Sequence, residues 1–331
     1  MANADVLVVA LLISSCAAPT VHDGRTSACG SCHTRQREAW SSSRHAHSGQ
    51  SPVFLAMLPK VEASWGRNAR AQCESCHQPG HAGEAFIGCA SCHLAVGNRG
   101  DFNGQMVVDV NAPVATRKKV VSAPHTLANR RFFDAPNLCG TCHEVKGPGH
   151  LDEPTLSEFF ESPTDAGQTC TSCHFEEGHR FVGLSPAWGA STSEQREATE
   201  RSERLLARAL RLEVNGREVK VTNVGAAHGV PTGMTAVRDV WVEVTFVLNG
   251  EVVVQRVLEL GAKLEGPNGE VALFTDATKI ASRSLKFGES RAWAAPVGAT
   301  GVKAVLKARA IREATLRALG LDGKDVPTLE P

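Results

Sequence analysis

The sequence predicts a multidomain α+β protein: a mainly helical, loop-rich first half followed by an immunoglobulin-like β-sandwich. Three observations carry this. The pattern Cys-x-x-Cys-His occurs five times between Cys29 and His174. Around those clusters hydrophobic periodicity is weak and Gly, Ser, Pro and His abound, which predicts short helices and much loop. From about residue 211, alternating apolar residues flank three Asn-Gly pairs, the strongest short-range hairpin signal.

The chain has 331 residues, enough for about two domains. Its 35 basic and 35 acidic residues cancel, which argues against a nucleic-acid partner, since that needs a strongly basic face. Aromatic residues make up 5% and Tyr is absent, so the first half has few bulky side chains with which to fill an interior. Val6 to Ile13 is an apolar run ending in Ile13-Ser14-Ser15-Cys16. It resembles a bacterial lipoprotein signal, although it opens with Asp5 and without Lys or Arg. It is shorter than the ~20 residues that span a bilayer. Residues 1–16 are therefore expected to be a signal peptide with a lipoprotein Cys. Export would place the chain in the periplasm or at the outer membrane and cell surface, membrane-attached through a lipid on Cys16.

Residues 22–190 carry all five clusters. Residues 191–210 read as a linking helix: Ser191 and Glu194 have capping-box spacing, and Ala198, Leu205, Leu206, Ala209 and Leu210 give it an apolar side. In 211–311 the turns fall at Asn215-Gly216, Asn249-Gly250 and Asn268-Gly269, with further strands at Ser284–Trp293 and Gly301–Ala310. About seven short antiparallel strands in a hundred residues predict an immunoglobulin-like sandwich, without its usual disulfide, since no Cys lies beyond Cys173. Residues 312–331 read as a short helix and a Pro-containing tail.

Each cluster is a c-type haem attachment site. Paired thiols would form thioethers at Cys29 and Cys32, Cys73 and Cys76, Cys89 and Cys92, Cys139 and Cys142, and Cys170 and Cys173. The adjoining His33, His77, His93, His143 and His174 would then lie under the iron as proximal ligands. Zinc sites use paired CxxC units or CxxC with a distant H-x-x-x-H, and a disulfide leaves the His unexplained. Neither accounts for five clusters that all end in His. Residues 22–190 thus form a multihaem domain with five covalent haems c as its core. The clusters at Cys73 and Cys89 are too close to hold much core of their own. Without haem this region is expected not to fold.

Eight of the thirteen His remain as distal-ligand candidates: His22, His45, His47, His81, His125, His150, His179 and His228. Several of these sit in stretches that resemble known multihaem proteins. CGSCHTRQREAWSSSRHAHSG resembles the cytochrome c554-type motif, CxxCH followed by W-x-x-S-x-H, with Trp40, Ser43 and His45 at the matching positions. PTLSEFFESPTDAGQTCTSCHFEEGHRFVG is similar to a segment common in bacterial multihaem cytochromes, which implies a ligand role for His179. His125, ahead of LCGTCH, fits the same group. VTNVGAAHGVPTG resembles a G-H-x-x-P-T-G motif, which implies that His228 leaves the β domain to cap a haem. The resemblance spans about residues 25–310 and is to a broad cytochrome c554-like group. His81, in HQPGH, completes the favoured set of His45, His81, His125, His179 and His228. His22, His47 and His150 are reserves.

Two strong-field ligands on every iron imply a pentahaem cytochrome that relays electrons between redox-protein partners. One alternative is an oxidoreductase with a single five-coordinate haem that reduces a small nitrogen or sulfur oxyanion. The absence of CxxCK and of Tyr sets aside the pentahaem nitrite reductase and hydroxylamine oxidoreductase mechanisms. Another alternative is a homo-oligomeric extracellular filament in which His22 caps a neighbour's haem. Arg117-Lys118-Lys119 and Arg130-Arg131 are basic clusters suited to haem propionates or to an acidic redox partner, or simply solvated loop.

Overall fold

A computed structural model describes residues 24–100, 103–117, 123–163, 168–176, 178–184, 191–324 and 326–331. The signal segment, Cys16, His22 and Lys118–Lys119 lie outside the described residues. The chain is a mixed α+β protein.

Among the described residues the C-terminal half holds nine strands: β1 (Leu210–Asn215), β2 (Glu218–Asn223), β3 (Asp239–Leu248), β4 (Glu251–Val257), β5 (Ala262–Gly266), β6 (Gly269–Glu270), β7 (Lys279–Ser282), β8 (Ser290–Ala294) and β9 (Thr300–Arg309). They form three antiparallel sheets, ordered β8-β2-β1, β4-β3-β9 and β6-β5-β7. All three expected turns join adjacent strands. Asn249 and Gly250 lie at φ 53° and 84°, the two successive left-handed positions that a type I′ turn requires and that Asn and Gly tolerate best.

The first two sheets meet in one core. Val219 and Val221 of β2 face Val240, Val242, Val244 and Phe246 of β3, with Leu206 of the linking helix and Leu260, Leu285 and Leu306 around them. Along β3, Val242 and Val244 are sealed from solvent while Glu243 and Thr245 between them are half-buried, the period-two alternation of a strand with one face in the core. The linking helix runs Thr192–Ala209. Its capping box is complete, with Ser191 Oγ accepting from Glu194 N and Ser191 N donating to Glu194 Oε2.

The third sheet faces the other half of the molecule. Val53, Met57 and Val61 repeat every four residues along the Pro52–Trp65 helix and so share one face. That face packs with Leu264 of β5, Phe274, Ile311, Leu316 and Val326 in a second core. The segment after residue 312 is part of this packing. Leu316, 1% exposed, and Val326 lie in it, while Leu329, also 1% exposed, bridges to Ala308 of β9 and joins the first core. Leu264 is fully buried, so Leu264→Ala is expected to lose about 2–5 kcal/mol of stability, read as a lower midpoint in denaturant unfolding.

The N-terminal half is built from short pieces in a repeated order. The helices Cys89–His93, Asn137–His143 and Cys170–His174 each end on the His of a cluster and run directly into a hairpin. These hairpins pair Ala95–Asn98 with Met106–Val108, Val145–Lys146 with Asp152–Glu153, and Phe175–Glu176 with Arg180–Phe181. The remaining clusters lie on or beside the helices Thr26–Gly30 and Arg67–His77. Gly104 (φ 73°) lets a loop lie against the Arg67–His77 helix, since a Cβ there would fall 2.8 Å from Cys76 Sγ. Its N–H donates to Thr141 O at 2.6 Å. That loop brings the second and fourth clusters side by side.

Candidate haem sites

Four of the five cluster histidines face another histidine far away in the chain. Ring centres are 6.2 Å apart for His33 and His125, 6.5 Å for His45 and His143, 5.7 Å for His93 and His179, and 5.9 Å for His174 and His228. His93 Nε2 and His179 Nε2 are 3.5 Å apart. An imidazole binds a metal at ~2.0–2.1 Å, so two imidazoles on opposite sides of one metal have Nε2 atoms about 4 Å apart and ring centres roughly 6 Å apart. The observed pairs have that spacing. Each contains one His that directly follows two Cys.

The rings are held for this task. The hairpin or loop after a cluster folds back and takes the Nδ1–H of its histidine. His93 Nδ1 donates to Ala115 O at 2.8 Å, and His174 Nδ1 donates to Val182 O at 2.8 Å. His143 Nδ1 donates to Glu153 Oε1 at 3.0 Å, and His228 Nδ1 donates to Gly229 O at 2.9 Å. A carbonyl or carboxylate can only accept, so the proton sits on Nδ1 and the Nε2 lone pair is left for metal. Burial pushes His45 down to about 3 and His228 to about 4. Both are therefore neutral imidazoles, the metal-binding form. The donor set thus fits haem c: paired thiols beside a fixed imidazole, and a second imidazole across a metal-sized gap.

The W-x-x-S-x-H residues divide their labour. Trp40 Nε1 donates to Ile87 O at 3.0 Å and ties the segment to the Cys89 cluster, while Ser43, 2% exposed, has Oγ 3.4 Å from Ala46 N. Together they fix the turn that points His45 at His143. Phe181 packs edge-on against His45 at 4.4 Å.

His228 rests on a loop that Asn223 clamps. The Asn223 side chain, fully buried, donates to the carbonyls of Ala226, His228 and Leu285 and accepts from Ala226 N. Across the domain boundary Gly229 N donates to Glu158 Oε2 at 2.8 Å. A Cβ on Gly229 would lie 2.9 Å from that oxygen, so a larger residue there would push the Glu158 carboxylate aside.

The remaining histidines are placed differently. His77 stacks flat on Phe54 at 4.4 Å, and among the described residues no histidine ring faces it. His81 Nδ1 is 3.0 Å from Ser91 Oγ, beside the Cys89 cluster. His47 donates its Nε2 proton to Ser41 O at 2.9 Å. His150 is exposed in the turn between Lys146 and Asp152, at φ 62°. Of the basic clusters, Arg117 pairs with Asp134 at 2.8 Å, and Arg130 donates to the carbonyls of His93 and Ala95. Neighbouring clusters lie close enough for their thiols to influence one another: Cys89 with Cys29, Cys76 with Cys142, and Cys170 with Cys139.

Sequence reasoning missed Glu153, Asn223, Arg44 and Arg238. Burial lowers both guanidiniums, Arg44 to about 10, and the like charge of Arg238 lowers Arg44 further. Among the described residues Arg238 Nε is buried without a partner. An Asn three residues before a Gly-rich loop is a readable clamp signal; the two Arg and the Glu carry no local pattern.

Together the fold and the site define a class: a motif-rich helical half, in which distant histidines face one another, docked on a β domain. Its fold is similar to that of a penta-heme cytochrome c552 from Thermochromatium tepidum, with a TM-score of 0.67, 16% sequence identity, and coverage of 93% of this chain and 97% of that one. At this identity the likeness is one of fold. No protein-family model matches the chain, and no curated protein matches it significantly.

Proposed function

We propose that the chain is a pentahaem c-type cytochrome of the cytochrome c554-like group that relays electrons. The observation that carries this reading is the set of four histidine pairs at 5.7–6.5 Å, each containing the His of a Cys-x-x-Cys-His cluster. Bound haem supplies a one-electron ferric–ferrous couple. The protein's part would be to hold the paired imidazoles in place, with the Nδ1 protons of His93, His143, His174 and His228 on carbonyl or carboxylate oxygens, and to keep small molecules off the iron. Cys29, Cys32, Cys73, Cys76, Cys89, Cys92, Cys139, Cys142, Cys170 and Cys173 would carry the haems. Arg44 and Arg238, like-charged neighbours, are suited to a propionate beside the His45–His143 pair. In this reading the β domain is an immunoglobulin-like support that lends His228. The chain is exported and lipid-anchored at Cys16, with redox proteins as donor and acceptor. Among the described residues no helix is long and apolar enough to cross a membrane.

The placement of His77 favours a second reading for one haem. With Phe54 against its ring and no facing histidine among the described residues, the haem on Cys73 and Cys76 is the one suited to an external ligand, such as a small nitrogen or sulfur oxyanion. The ferric optical and EPR spectra, then carbon monoxide addition after reduction, separate the two readings. At least four low-spin haems that ignore carbon monoxide are expected. Carbon monoxide binding at one haem supports the open site; binding at two or more would overturn the relay.

A further inference from the structure

His143 differs from the other anchored histidines in what holds it. His93, His174 and His228 give their Nδ1 protons to main-chain carbonyls, which are neutral. His143 gives its proton to the Glu153 carboxylate. Glu153 is 7% exposed, so its charge acts through little water. The local fold sets this up. The chain leaves His143, turns at Pro148-Gly149-His150 and returns as Asp152–Glu153, pairing Val145 with Glu153. The β domain closes the far side: Glu153 Oε1 and Arg238 Nη2 both flank Gly233, within 3.6 and 3.9 Å of where its Cβ would stand.

We propose that Glu153 is a positioning residue that tunes the haem on Cys139 and Cys142, and that Arg238 of the β domain moderates it. This rests on the haem reading above. A carboxylate on Nδ1–H makes the imidazole a stronger donor. A stronger donor and a nearby negative charge favour ferric iron over ferrous, so the reduction potential falls below what a carbonyl partner would give. Arg238 opposes the carboxylate's charge and raises the potential again. The contact would make the iron between His45 and His143 the hardest of the anchored set to reduce.

The test is a spectroelectrochemical titration of the haem-loaded protein, with the EPR signal of each low-spin haem followed separately. Glu153→Gln should make one haem easier to reduce by about tenfold or more in its reduction equilibrium, which is ~59 mV for one electron. Arg238→Gln should shift that same haem in the opposite direction. Glu153→Asp keeps the charge at greater reach and should give a smaller shift than Gln, which covers the case of a poorly folded Gln variant. Loosened packing would move both variants the same way. Shifts of equal sign, a shift shared by all haems, or none would overturn the proposal. Failure to find haem, or failure to find paired imidazoles, would instead overturn the reading beneath it.

Discussion

Replacing His228 by Ala is expected to leave the haem proposed on Cys170 and Cys173 high-spin and five-coordinate, so that it binds carbon monoxide on reduction. The variant is informative because the rest of the loop is held independently. Asn223 grips the main-chain carbonyls of Ala226, His228 and Leu285, and Glu158 takes the Gly229 amide. None of these contacts uses the imidazole, so the β domain should fold as before and the change should be confined to one haem. Asn223→Ala should reproduce the spectral change by a different route. It removes a fully buried side chain that makes four hydrogen bonds, and leaving those groups unpaired costs roughly 1–3 kcal/mol each at most. A fully low-spin His228→Ala protein, silent to carbon monoxide, would show that His228 is no ligand.

Expression without haem attachment should leave residues 24–184 unfolded while the β domain persists. Among the largest fully buried side chains of the described residues, only Leu94 and Val61 come from before the linking helix; Phe246, Leu260, Leu285, Val219, Val240 and the others belong to the C-terminal half. Ordering each residue costs about 1–2 kcal/mol of backbone entropy, and the N-terminal half has little apolar side-chain surface with which to offset it. Limited proteolysis should yield a resistant fragment beginning near Ser191, held by the core between the first two sheets. Protection of the 24–184 region in haem-free protein would sink this expectation.

What could be read from the sequence was local. Five clusters announce themselves because the chemistry needs two Cys and a His within five positions. The hairpins at Asn215-Gly216 and Asn249-Gly250 are legible because the turn needs positive φ there, and Gly216 and Gly250 have it at 61° and 84°. The linking helix shows its cap three residues deep. Which histidine faces which was not legible. His45 is twelve residues from His33 yet faces His143, because the choice is made by how hairpins and helices pack, not by spacing. His81, a distal-ligand candidate in HQPGH, has its Nδ1 next to Ser91, and no described histidine meets His77. Of the third sheet only the Asn268-Gly269 hairpin was legible; its separation from the other two sheets was not. Its strands are short, and their purpose lies in the Val53, Met57 and Val61 face of a helix two hundred residues earlier.

The histidine pairs also have a topological meaning. With iron between them, His33–His125, His45–His143 and His93–His179 each tie together points roughly ninety residues apart, as a disulfide would, and on the chain-entropy account each such tie is worth about 4–5 kcal/mol. The three loops interlock, because each begins before the previous one has closed. The fourth, His174–His228, begins inside the third and ends in the β domain. Opening any one tie therefore enlarges the loops of its neighbours. The molecule is laced rather than stacked, and losing a single iron bond should loosen segments far from the haem that lost it.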